Sequence, residues 1–124
     1  MIEYLTKSVR KVLRGNPNAG IVSVSQNDNG NYCNDSVAQQ IMEEEGTPGG
    51  PLFRAVNTIA DNIKDEFPNI AVDTLAYQWS RPAPKITKPR PNVIIRLCSI
   101  ECNFAAPLVR SPSAPSCASI CRRR

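Results

Sequence analysis

Histidine is absent from this chain of 124 residues. Its absence removes the usual general base near neutral pH, the Ser–His and Cys–His nucleophile pairs, and most zinc sites. Acid–base chemistry must then fall to carboxylates, tyrosine or lysine. Aromatic residues are few, at 6%, with a single tryptophan. No run approaches the roughly 20 apolar residues that cross a bilayer, so no membrane partner is expected. The N-terminus, MIEYLTKSVRKVL, mixes acid and base in an amphipathic pattern; it is not a basic stretch leading into an apolar core, and no signal peptide is read there.

The body of the chain also lacks an excess of either charge. Residues 1–108 hold eleven Lys or Arg and eleven Asp or Glu, so the net +4 comes from Arg110, Arg122, Arg123 and Arg124. A nucleic-acid footprint belongs on a folded face or a helix stripe, not in a terminal tag, and no nucleic-acid partner is expected.

What is present is a regular alternation of patterns. Ile2, Leu5, Val9, Val12 and Leu13 recur at helical period over residues 2–14, and Gly15-Asn16-Pro17-Asn18 stops that helix. Residues 20–25 read as a short buried strand. An acidic segment, residues 36–45, reads as a short helix ending at Gly46. Thr47-Pro48-Gly49-Gly50 breaks the chain before the best helix, residues 51–67, whose stripe is Leu52, Val56, Ile59, Ala60, Ile63 and Phe67. IAVDTLAYQW is a second strand, SRPAPKITKPRP a proline-rich loop, and NVIIRLCSI a third strand. Near-continuous apolar strands separated by helices predict parallel strands buried on both faces. Three such strands do not close a barrel, so the expected fold is α/β: a partial (β/α)8 barrel of about three parallel strands with intervening helices. Residues 109–124, VRSPSAPSCASICRRR, lack an apolar period and are set apart from the 1–108 body as a disordered or artefactual tail.

In such barrels chemistry sits on loops after the strands. Gln26, Asn27, Asp28 and Asn29 follow the first strand, Tyr77, Gln78 and Trp79 follow the second, and Glu101 with Asn103 follows the third. Paired carboxylates can act as acid and base or nucleophile at a glycosidic bond. Amides donate to and accept from hydroxyls, and Tyr and Trp offer flat apolar faces with polar edges. The duller readings are a polar turn for Asn-Asp-Asn-Gly and a core position for Trp79. Asp73, inside a strand, needs partners if buried, and a structural role is expected for it. The cysteines, at 33, 98, 102, 117 and 121, twice make C-x3-C, yet no metal site is read from them. Free thiols are the default, with a Cys33–Cys98 or Cys33–Cys102 disulfide left open.

VSVSQNDNGNYC, EEEGTPGGPLFRAVN and the long run from Asn57 to Phe104 resemble domain of unknown function 4838. The resemblance covers about residues 1–108. That family lies near the α-glucuronidase and hexosaminidase-type glycoside hydrolase barrels, and its members are commonly exported. The resemblance implies a slice of a (β/α)8 barrel from a longer carbohydrate-active protein, inactive alone and completed by the rest of the parent barrel. On this reading Asp28 and Glu101 are the catalytic carboxylates, and Gln26, Asn27, Asn29, Tyr77, Gln78 and Trp79 line the sugar. No cofactor is expected. A non-catalytic carbohydrate-binding or scaffold domain is the alternative.

Overall fold

The computed structural model describes residues 1–98. Its elements are α1 (Ile2–Gly15), β1 (Ile21–Ser23), α2 (Ser36–Glu45), α3 (Gly50–Ile63), β2 (Ala71–Ala76), a 3-10 turn (Gln78–Ser80) and β3 (Val93–Leu97). The three strands form one parallel sheet in the order β1-β2-β3. Parallel neighbours need a crossover, and the α2–α3 segment supplies the first. The expected class, α/β with about three parallel strands and intervening helices, is what the chain adopts.

The register sets Val22, Val72 and Val93 side by side. Because side chains alternate along a strand, this row defines one face of the sheet. Val9 and Leu13 of α1 and Val56, Ile59, Ala60 and Ile63 of α3 pack on it with Val72. Burying one such side chain is worth about 1.5–3 kcal/mol, so this layer holds the fold. The stripe predicted for α3 is the buried one, but the helix ends at Ile63 and Phe67 packs from the turn that follows. On the opposite face Ile21 and Ile94 stand 58% and 43% exposed, and no described element covers them.

The second crossover is made by a loop. Pro82, Pro84, Pro89 and Pro91 bar a helix there, because each lacks an N–H and restrains the residue before it. Side chains of α2 and α3 take up the donors that remain. Glu45, fully buried at the end of α2, accepts from the amides of Ile86 and Thr87 at 3.0 Å each and from the Thr87 hydroxyl at 2.5 Å. The Arg54 guanidinium reaches the same carboxylate at 2.7 Å. Burial pushes this carboxyl up, but the Thr87, Ile86 and Arg54 bonds outweigh it and bring it down to about 2. Asn57 clasps the loop from α3, donating to the Lys88 carbonyl and accepting from the Arg90 amide.

Among the described residues no helix is long and apolar enough to cross a membrane. The segment 109–124 lies outside the described residues.

Candidate functional site

All three strands run the same way, so their C-terminal ends share one edge of the sheet. The loop of residues 24–35 leaves β1 there, and the segment of residues 77–80 leaves β2 beside it. Strand β2 was expected to run to Trp79; it stops at Ala76. The reason is Ser80, which is fully buried. Its hydroxyl accepts from the Tyr77 amide at 3.1 Å, and the Ser80 amide donates to the Tyr77 carbonyl at 3.1 Å. These bonds fold Tyr77–Ser80 back on itself and take Tyr77 out of the ladder.

Ser80 also joins the two loops, since its hydroxyl hydrogen-bonds the side-chain oxygen of Gln26. Gly49, at the start of α3, makes this possible. A Cβ built on it would lie 2.9 Å from the Phe53 ring and 3.0 Å from the Ser80 Cα. Gly49 thus admits the backbone of the turn.

Around this hub the aromatic residues gather. The Trp79 indole N–H donates to the Asn29 carbonyl at 3.2 Å. Tyr32 meets Trp79 with ring centroids 5.3 Å apart and planes inclined at 43°. Asn29 in turn accepts from the Asn31 amide at 3.0 Å, an Asx-turn that shapes the loop beneath the rings. Gln78 donates from its amide to the Tyr77 hydroxyl at 3.1 Å. Its φ of 50° makes it the one non-glycine residue in the left-handed region among those described. For a residue with a Cβ that conformation costs about 1 kcal/mol, and such strain concentrates at functional loops.

The structure thus brings together Gln26, Asn29, Tyr77, Gln78 and Trp79. Asn27 and Asp28 sit on the same loop, exposed, and Asp28 makes no hydrogen bond or ion pair among the described residues. Glu101 lies outside the described residues. Tyr32 and Ser80 were missed by sequence reasoning. Tyr32 stood in the QNDNGNY stretch and was legible as a neighbour, whereas a lone serine after a tryptophan carries no signal. The side-chain nitrogen of Gln26 is buried without a partner among the described residues, a donor left over at the junction of the two loops.

Two further groups stand near this edge. Asp73 of β2, nearly fully buried, is held by Arg96 of β3, whose Nε lies 3.2 Å from Oδ1. The partner that a buried Asp73 needs is Arg96. Asp35 caps α2, accepting from the Ala38 amide at 2.8 Å and from the Cys33 thiol at 3.1 Å. These bonds hold its carboxyl below the usual range, the Ala38 amide contributing most. Cys33 and Cys98 are free thiols. Among the described residues no group of three His, Cys, Asp or Glu comes together as metal ligands would.

The arrangement is an edge rich in amides and hydroxyls with two inclined rings. Its amides and hydroxyls can both donate and accept hydrogen bonds. In a comparison with known families, the family described as Domain of unknown function (DUF4838) matches over residues 1–120. The match runs past residue 108 into the segment that the sequence reading set apart. Neither the curated proteins nor the solved structures gave a match.

Proposed function

The chain belongs to the family of Domain of unknown function (DUF4838), and from that premise we propose that it is a slice of a glycoside-hydrolase-like (β/α)8 barrel that binds carbohydrate at the strand-end edge. The observation that carries this reading is the Tyr32–Trp79 pair, whose rings stand 5.3 Å apart beside Asn29 and Gln78. Pyranoses present hydroxyls at the rim and C–H groups on the face, which match amide side chains and ring faces respectively. A parallel sheet with one face left bare by the described residues supports the barrel, because such strands are normally covered on both sides. In the parent protein Asp28 and Glu101 would be the carboxylates; a separation of about 5 Å would fit retention and about 6.5–9.5 Å inversion.

One observation favours the non-catalytic alternative. Asp28 is exposed and nothing among the described residues aims it, whereas catalytic carboxylates are held in place by packing or hydrogen bonds. Two measurements test the proposal. Trp79 is the single tryptophan, so its emission should shift as neutral oligosaccharides are titrated into the chain. Tyr32→Ala should weaken binding by about fivefold to tenfold, the value of one aromatic contact. No change in emission at millimolar sugar would reject carbohydrate binding at this edge. Separately, turnover by the full-length parent that survives both Asp28→Asn and Glu101→Gln would reject the catalytic roles.

A further inference from the structure

Independently of the carbohydrate reading, we propose a second binding site, for a small carboxylate carried on an apolar body, in the groove between α3, the ends of β2 and β3, and the proline-rich loop. The groove holds about 800 Å³, which is within the range of small-molecule sites. Phe53 of α3 and Ala76, Ile95 and Leu97 of the strands give it an apolar lining. Ile95 and Leu97 alternate with Val93, so they share the helix-covered face of the sheet. The chain beyond β2 brings the charge: Arg81, Lys85 and Lys88 line the groove, and among the described residues no Asp or Glu does.

The backbone that carries the lysines is already fixed. The Lys85 amide donates to the Glu45 carbonyl at 2.9 Å, and the Lys88 carbonyl accepts from Asn57 at 2.8 Å. Lys85 also lies across Gly46, its Nζ 2.9 Å from where a Cβ there would stand. A ligand therefore does not have to order this loop before it binds. The Glu45 carboxylate is buried and met by Arg54 and Thr87, so its charge is balanced without the lysines. Arg81 has a partner of its own, and a guanidinium with five N–H donors can serve a second. The two halves of the lining together define the ligand. A bare inorganic anion gains nothing from Phe53, Ile95 and Leu97, whereas a neutral apolar molecule leaves the cations without a counter-charge. Residues 99–124 carry four Arg against one Glu, so like charge weighs against that segment as the occupant.

The test titrates phenylbutyrate into the isotope-labelled full chain at low ionic strength and follows backbone amide shifts. Phenylbutyramide supplies the body without the charge, and acetate the charge without the body. Phenylbutyrate should move the amides of Phe53, Ile95 and Leu97 and bind at least about fivefold more tightly than the amide, the value of one ion pair near 4 Å in water. Acetate should bind more weakly than phenylbutyrate. Lys85→Gln with Lys88→Gln, both at exposed positions, should bring phenylbutyrate down to the level of the amide. No shift at the three residues with millimolar phenylbutyrate overturns the site, whether residues 99–124 fill the groove or it has no affinity. Equal binding of the amide or of acetate, or full affinity in the double variant, overturns the assigned ligand class. Trp79 takes no part in this readout, so each result is separate from the fate of the carbohydrate reading.

Discussion

Arg96 lies across the carboxylate of Asp73 from the neighbouring strand, with the acid side chain 4% exposed and the arginine side chain 62% exposed. The asymmetry assigns the roles. Asp73 is the desolvated partner, and Arg96 is a solvated cover that lets a charge sit on a sheet face without a helix over it. Arg96→Met should cost about 2–3 kcal/mol, below the usual 3–5 for a buried pair because water can reach the vacated position. The double variant Asp73→Leu with Arg96→Met should be more stable than Arg96→Met alone. Urea midpoints of the three proteins check both statements.

The Glu45 clamp should make stability depend on acid. Its folded carboxyl, at about 2, lies below the unfolded value, so the stabilisation is complete above roughly pH 5 and is lost as pH falls toward 2. The size is of the order of 3 kcal/mol. Asp35 and Asp61 are also held low, each by its hydrogen bonds, and add to the same trend from exposed positions. The difference between wild type and Glu45→Gln isolates the clamp. Urea midpoints measured from pH 7 to pH 2 should fall steeply in wild type and less steeply in the variant.

Gly49→Ala should damage the site more than its chemistry suggests. The added methyl would meet the Phe53 ring and the Ser80 backbone at 2.9–3.1 Å. Overpacking of this kind costs about 1–3 kcal/mol. Since Ser80 carries the turn that holds Trp79, the tryptophan emission of the folded variant should shift. A Gly49→Ala protein with unchanged emission and stability would show that the turn is held some other way.

Gln78→Gly separates strain from function. Glycine adopts a φ of 50° freely, so the variant should gain up to about 0.5–1 kcal/mol of stability. It also loses the amide that meets the Tyr77 hydroxyl, and sugar affinity should fall while stability rises. Thermal unfolding and the emission titration together read the two effects.

Much of the fold was legible because it rests on period. The stripe of α3 and the apolar run of β2 were each readable without knowing their partners, and they pack together. Strand and helix ends were less legible. Strand β2 ends early because of Ser80, a contact between residues that attracts no notice in the sequence. The amides and rings of the site were foreseen from the positions where strands stop, since parallel strands bring those positions to one edge. Glu45 was not. The sequence shows it only as part of an acidic segment, residues 36–45, and its burial depends on a loop some 40 residues away, which no local pattern announces. Tyr32 was hidden in the same way: its importance comes from Trp79, across the edge from it.

The bare face and the two outer strands have a practical consequence for anyone handling the protein. Strands β1 and β3 each leave one backbone ladder unpaired among the described residues, flanked by exposed Ile21 and Ile94. Unprotected edges of this kind invite strand addition and precipitation at high concentration. Lysine at Ile21 and Ile94 should therefore raise the concentration at which the chain stays dispersed, measured by light scattering, while leaving the valine layer under α1 and α3 untouched.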